Sequence, residues 1–353
     1  MKIAIVLGTR PEIIKMAPVI RECHRRQLDH FVLHTGQHYS YSMDRIFFED
    51  LELGGADFNL EVGSGAHGVQ TGKILSGTEK VFKDERPDVV LVQGDTNTVM
   101  AAALAATKLG IKVGHVEAGL RSFDRSMPEE INRIIADHIS NYLFTPTEAS
   151  RRYLADEGIH DGVFVTGNTI VDAVFQAKDI AARKTEVLNE FELRPKNFIL
   201  ATAHRAENVD DRTRLAGMLE GMRMAGENLG MEVLFPMHPR TAGRVEEFGL
   251  SLDGIRAIEP VGFLDFLQLE SNARLILTDS GGVQEEACIL GVPCVTLRDN
   301  TERPETIKVG ANMLAGAEPQ KIRSATKKMI GRQGWENPFG DGTASKQILD
   351  IIV

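Results

Sequence analysis

Residues 3–15 read IAIVLGTRPEIIK. The run IAIVL is apolar without period-2 alternation, which suits a strand buried on both faces. Gly8 permits a tight turn, and Pro11 fits the N1 position of a helix, where its fixed φ is pre-set and no N–H is needed. Strand, glycine turn and helix together are the opening of a βαβ unit. The same alternation continues along the chain: FVLHT at 31–35, VVLVQ at 89–93, KVGHV at 112–116, YLFTP at 142–146 and VFVTG at 163–167. Helix-like stretches lie between them, including 11–26, 98–109, 129–141 and 147–157. Such alternation predicts a parallel, doubly wound sheet.

The pattern then restarts. Residues 182–196 are polar with few apolar anchors and read as a linker. FILATAH at 198–204 follows, then EVLFPMH at 232–238, IRAIEP at 255–260, RLILTDS at 274–280 and VPCVTL at 292–297, each before a helical pattern. The expectation is two Rossmann-like domains, 1–181 and 197–335. A C-terminal helix within 336–353 is expected to pack back on the first. A chain of 353 residues is long enough for two cores.

Net charge is −10, which argues against bulk nucleic-acid binding, although placed cations and helix N-termini can still hold a phosphate. Three cysteines, Cys23, Cys288 and Cys294, form no CxxC pair, so neither a disulfide framework nor a zinc site is expected. No signal-peptide pattern or membrane-length apolar run is present, and a cytoplasmic location is expected. The sequence has neither the Gly-x-Gly-x-x-Gly dinucleotide fingerprint nor a P-loop.

In open α/β sheets ligands bind beyond the carboxyl ends of the strands, so the residues after each strand carry the functional reading. After the first strand, Arg10 and Lys15 can reach a phosphate or carboxylate. Asp95, within QGDTNT (93–98), stands at the strand's C-terminal tip just before a helix; alone it reads more readily as a helix N-cap. Glu117 ends the buried strand of HVEAGLRS and needs a partner or a task. Glu129 and Arg133 of PEEINR, four apart, share a helix face. Neighbouring carboxylates separate one another's pKa values, as acid/base chemistry at carbon requires. In the second half, His204 with Arg205 and His238 stand at strand tips. In DSGGVQEEA, Ser280, Gly281 and Gly282 form a small-residue turn that lets backbone N–H groups approach an anion. Glu285 or Glu286, one turn into the helix, can accept from ribose hydroxyls. The segment RDNTERPE, with Arg303, reads as a further ligand loop.

Taken together, GTRPEIIKMAP, QGDTNT, HVEAGLRS, PEEINR, TGNT, AHRAEN, DSGGVQEEA, RDNTERPE and PFGDG resemble, in order, the non-hydrolysing UDP-N-acetylglucosamine 2-epimerases. The resemblance implies a glycosyltransferase-B-like fold with the active site in the cleft between two Rossmann-like domains. It implies interconversion of UDP-N-acetylglucosamine and UDP-N-acetylmannosamine, which supplies cell-surface polysaccharide precursors. The route it implies is elimination of UDP to a 2-acetamidoglucal and re-addition. No cofactor or metal is implied, and a homodimer is. By resemblance Asp95, Glu117 and Glu129 are the acid/base carboxylates, and Arg133 lies near them. Arg10, Lys15 and His204 lie near the diphosphate, Ser280–Gly282 hold phosphate, and Glu286 holds the ribose. The chain departs from the bacterial pattern at Gln37–Tyr41 and around Ala66–His67, where an activator site lies in some relatives. It also has Ala206 in place of a cation and a shorter 121–128 loop. Hydrolysing epimerases, epimerases of related UDP-diacetamido sugars and glycosyltransferases are alternative chemistries. A non-catalytic UDP-sugar sensor would not need the carboxylate set.

Overall fold

The structure, a computed structural model, describes residues 1–37 and 41–353, with the side chains of 41–44 outside the description. The departure at Gln37–Tyr41 therefore falls mainly on His38–Ser40, which lie outside the described residues.

The apolar runs form strands because their residues bury both faces. The first seven are β1 (Lys2–Leu7), β2 (Asp29–His34), β3 (Phe58–Asn59), β4 (Val89–Gln93), β5 (Lys112–Val116), β6 (Tyr142–Thr145) and β7 (Val163–Val165). They make one parallel sheet in the order β3-β2-β1-β4-β5-β6-β7. Six more follow: β8 (Phe198–Thr202), β9 (Glu232–Pro236), β10 (Arg256–Ile258), β11 (Leu275–Thr278), β12 (Cys294–Thr296) and β13 (Asn312–Leu314). Their order is β10-β9-β8-β11-β12-β13, again parallel. β3 and β13 were not expected; at two and three residues they are edge strands too short to make a hydrophobic run.

Burial explains the lack of alternation. Along β8, Ile199 and Ala201 enter one core cluster while Phe198 and Leu200 enter another on the opposite face. Each fully buried aliphatic side chain contributes about 1.5–3 kcal/mol, and central strands collect it on both sides.

The chain divides into two units, one of Met1–Gln176 with Phe339–Val353 and one of Ala177–Pro338. The expected linker 182–196 needs correction. Its first residues complete the helix Thr169–Lys184. Val187 and Leu193 are then buried in the core of the second unit with Phe198 and Leu200. Four scattered apolar residues, 187, 188, 191 and 193, suffice to anchor it, which a polar average conceals.

The C-terminal helix, Ala344–Ile352, packs on helix Arg10–Arg25 of the first unit. Buried Asp172 fixes its start: one carboxylate oxygen accepts from the Ser345 N–H (2.9 Å) and hydroxyl (2.6 Å), the other from the Ala344 N–H (3.2 Å). Asp172 thus satisfies orphan donors of a helix more than 170 residues away. Among the described residues no helix is long and apolar enough to cross a membrane.

Removing this carboxylate leaves buried N–H groups unpaired, at a cost of about 1–3 kcal/mol. Asp172→Ala is expected to lower the unfolding midpoint and to raise amide exchange selectively in residues 344–352. Unchanged protection of that helix would refute the capping role.

Candidate functional site

In both sheets the strand order reverses at one place, between β1 and β4 and between β8 and β11. Connections leave these points in opposite directions and open a crevice at the strand ends, where ligands bind. The motifs singled out above stand largely at those ends.

In the first unit, Glu117 follows β5 and is buried. Its backbone adopts φ 68°, a left-handed conformation costly for a non-glycine residue. Donors from separate elements hold its carboxylate. Lys15 Nζ (2.7 Å) and Asn168 Nδ2 (2.9 Å) donate to Oε1, and Gln93 Nε2 donates to Oε2. Lys15, expected beside a diphosphate, is therefore bound to Glu117. Asn168 brings the TGNT motif to this carboxylate, a role that its sequence position alone does not signal.

Asp95 is partly exposed beyond β4. It is not the N-cap of the next helix: Thr96 caps Asn97–Lys108. Arg133 donates to Asp95 and to Glu130, not to Glu129. The pairing expected from four-residue spacing is thus replaced by an i,i+3 pair. Glu130 is buried and accepts from Ser122 N–H (2.9 Å) and Phe123 N–H (3.0 Å), which orders the loop after Arg121. Glu129, in the first turn of helix Pro128–Ile139, is exposed. Of the three carboxylates, only Glu117 is buried.

Arg10 opens helix Arg10–Arg25, its guanidinium carbon 5.3 Å from the Phe47 ring centroid. Glu12 closes the turn, accepting from the Gly8 N–H (2.5 Å), the Thr9 N–H (3.0 Å) and the Thr96 hydroxyl (2.6 Å). Burial pushes its carboxyl up to about 7 against the pull of these donors, with Asp95 adding repulsion. Glu12 thereby ties the Arg10 turn to the Asp95 turn. Its position in the first turn, three residues after Thr9, is a capping-box signal that the sequence reading did not use.

His115, fully buried in β5, stands under the Asp95 turn. Nδ1 faces Asp137 Oδ1 and Nε2 faces the Gly94 carbonyl, both at 2.7 Å. Two acceptors require two N–H donors, hence an imidazolium. Burial works against the charge, but Asp137 and the Gly94 carbonyl outweigh it, and the His115 pKa is raised above 6.5. Asp137 also accepts from Arg121 Nη1 (2.7 Å) and the Gly119 N–H (3.1 Å).

In the second unit the buried Asp279 carboxylate, just past β11, is the hub. It accepts from the backbone N–H groups of His204 (3.0 and 3.1 Å) and Arg205 (3.0 Å) and from Asn208 Nδ2 (3.1 Å). It shapes the loop after β8. Burial lowers the pKa of the His204 imidazole, Arg205 and His238 add to the shift, and Asp279 opposes it, so the ring is neutral near pH 7.

Ser280 caps helix Gly281–Leu290, its hydroxyl accepting from the Val283 N–H at 3.5 Å. A Cβ on Gly281 would meet Glu302 Oε2 at 3.6 Å and Arg205 Nη2 at 4.0 Å, and one on Gly282 would meet only Ser280 Oγ at 3.9 Å. The helix N-terminus therefore has room for an anion beside the Arg205 guanidinium, next to a Glu302 carboxylate that Arg298 neutralises. Arg303 pairs with buried Glu285 at 2.8 Å. Arg298, also buried, binds Glu207 (2.8 Å) and Glu302 (2.8 and 2.9 Å), bracing the two loops together. Glu286 is half-buried on the Gly281–Leu290 helix.

Between these features lies a pocket of about 250 Å³, lined by Thr202, His204, Pro236, His238, Pro260, Val261, Phe266, Ser280 and Val283. Its apolar wall, Pro236, Pro260, Val261 and Phe266, escaped the sequence reading because isolated apolar residues after short strands carry no motif. Among the described residues no group of three or more His, Cys, Asp or Glu side chains is arranged to hold a metal.

Residues 21–353 match a family model described as UDP-N-acetylglucosamine 2-epimerase. The UDP-N-acetylglucosamine 2-epimerase of Methanocaldococcus jannaschii is 54% identical over 361 residues, covering 100% of this chain and 99% of the relative. Its structure superposes with a TM-score of 0.93 at 53% identity. Its complex with UDP-GlcNAc and UDP gives 0.84 at 55%; each comparison covers 100% of this chain and 99% of the other. The UDP-2,3-diacetamido-2,3-dideoxy-D-glucuronate 2-epimerase of Pseudomonas aeruginosa is 41% identical, covering 100% of this chain and 99% of its own. The glycotransferase of kitacinnamycin, 13% identical with a TM-score of 0.62 over 99% and 93% of the two chains, shares the fold.

The His115 imidazolium yields a pH test. With a folded pKa raised above the unfolded value, its stabilisation is complete below about pH 6.5 and is lost as pH rises through the folded pKa. The stability margin of the wild type over His115→Gln, measured by urea unfolding, is expected to be widest below about pH 6.5 and to shrink as pH rises through the raised folded pKa. A margin that stays flat or grows would contradict the charged assignment.

Proposed function

Because the chain belongs to the UDP-N-acetylglucosamine 2-epimerase family, we propose that it inverts C2 of UDP-N-acetylglucosamine to give UDP-N-acetylmannosamine, reversibly. The observation that supports this most directly is the pairing of two kinds of strand-end chemistry in one chain. One unit carries the carboxylates Asp95 and Glu117 beside Lys15 and Arg133, and the other carries an open helix N-terminus beside Arg205. A sensor or a simple UDP binder would need only the second.

The reaction in this reading runs as follows. A carboxylate takes the C2 proton, the electron pair forms the C1–C2 double bond, and the anomeric C–O bond breaks to release UDP. A 2-acetamidoglucal remains. Return delivers a proton to the opposite face of C2 while the UDP β-phosphate oxygen re-forms the bond to C1. Charge grows on UDP as the C–O bond breaks, so fixed donors aimed at the diphosphate lower the barrier. The Gly281–Gly282 N–H groups, Arg205 and neutral His204 fill this role, with Arg10 as a further cation. The uracil ring occupies the pocket walled by Pro236, Val261 and Phe266, and Glu286 accepts from the ribose hydroxyls. Asp95, Glu117 and Glu129 move protons between C2 and water. The protein works as a homodimer in the cytoplasm and needs no redox cofactor.

A second reading follows from the 41% identical Pseudomonas relative: the same elimination and re-addition on a UDP-diacetamido uronic acid. Comparing kcat/KM for the two sugars decides between them, the substrate with the larger value being the physiological class.

Incubation with UDP-N-acetylglucosamine in D2O, followed by proton NMR, is expected to give UDP-N-acetylmannosamine carrying deuterium at C2. Free N-acetylmannosamine with UDP would identify a hydrolysing enzyme, and retention of all C2 protium would refute both. Asp95→Asn is expected to lower turnover by at least about 10²-fold while UDP affinity stays near wild type. Loss of UDP binding would make Asp95 structural instead.

A further inference from the structure

Helix Phe263–Asn272 packs against helix Gly281–Leu290. The contact is mostly apolar: the first helix buries Leu264, Leu267 and Leu269, the second Val283 and Ala287. Within it lies a carboxyl group, Glu270, with no solvent exposure. Neither of its oxygens meets a hydrogen-bond donor of a neighbouring residue. Its side chain instead reaches that of Glu286 on the facing helix, carboxyl to carboxyl.

A buried carboxylate without a cation or donor is untenable, and two carboxylates in contact cannot both be ionised at neutral pH. The pair must share a proton. Glu270 is the enclosed member and Glu286 the half-exposed one, so the proton belongs on Glu270. Burial pushes the Glu270 carboxyl well above the ordinary carboxylate range, and the Glu286 charge pushes it further.

We propose that Glu270 is a positioning residue for nucleotide binding: as a neutral acid it donates its proton to the Glu286 carboxylate, fixing the rotamer and charge that Glu286 presents to the ribose hydroxyls. This rests on the reading above in which Glu286 holds the ribose. A Glu side chain one turn into a helix has three rotatable bonds, and a hydrogen bond from behind removes most of that freedom before the ligand arrives. The donor is charge-assisted, because its acceptor is ionised. The arrangement also explains a polar residue in an otherwise apolar helix contact: Leu or Met would pack there but could not orient Glu286.

The experiment compares the affinities of UDP and 2′,3′-dideoxy-UDP by calorimetry in the full-length protein. The wild type is expected to favour UDP about tenfold, the worth of one charge-assisted pair. Glu286→Gln should abolish that preference; if it persists, the ribose assignment of Glu286 fails, whatever Glu270 does. Given a Glu286-dependent preference, Glu270→Met is expected to lose most of it by weakening UDP alone, with dideoxy-UDP affinity unchanged. Its KM for the nucleotide sugar should rise while kcat holds, because uniform binding is what is lost. Glu270→Gln keeps an N–H donor and is expected to retain the preference. The melting temperature separates positioning from structural support: Glu270→Met removes a buried polar group and should melt at or above wild type. A Glu270→Met protein that still distinguishes the two ligands overturns the proposal. So does loss of the preference in both Glu270 variants alike, since proton donation would then not be what matters.

Discussion

Two βαβ halves that leave neighbouring strands in opposite directions cannot cover the strand ends between them. That constraint governs each sheet of this molecule, at β1/β4 and again at β8/β11. The backbone N–H groups and side chains gathered at those ends have no secondary-structure partner, so they must find one in each other or in a ligand. The carboxylates beyond the strand ends are the protein's own solution. Glu12 ties the β1 turn to the β4 turn, and Asp279 ties the β8 turn to the β11 turn. Each is an acid accepting backbone N–H groups in a crevice that also holds binding groups, so each sets the geometry that a substrate meets.

The two crevices differ in chemistry because their side chains differ. In the first, carboxylates are held by amides and cations drawn from several elements, and Glu117 is kept in a left-handed backbone conformation at a cost of about 1–3 kcal/mol. The surrounding donors over-determine that conformation. In the second, glycines and a serine leave room at a helix N-terminus, next to a pocket of about 250 Å³ with one apolar wall. The pair of buried Arg298 with the exposed Glu302 adds little net stability but holds the loops at the pocket in one arrangement.

Most of the fold was legible in the sequence, because doubly buried strands write themselves as apolar runs and glycine or proline marks where each ends. The edges were not: β3 and β13 are too short for periodicity to register. Residues 182–196 resemble a linker for a related reason, since Val187 and Leu193 bury well without raising the average hydropathy of their segment. The site was legible wherever a strand-end motif carried it, as at Asp95, Glu117, His204 and Ser280. Partner choice was hidden. Residues 129 and 130 are both Glu at the start of one helix, and only the helix's rotation on the sheet decides that Glu130 turns inward to Arg133 while Glu129 faces out. Glu270 was invisible because its partner, Glu286, lies on a different helix.

Asp172 has an implication for how the chain is made. The first unit is discontinuous: the second is inserted between the bulk of it and the helix that Asp172 caps. A ribosome delivers that helix only after the whole second unit has been synthesised. Until then the apolar flank of helix Arg10–Arg25 and the Asp172 carboxylate stand uncovered. The nascent first unit therefore reaches its final packing late, and its vulnerable interval lasts as long as translation of the insert. Slowing elongation within residues 177–338 would lengthen that interval without altering the finished protein.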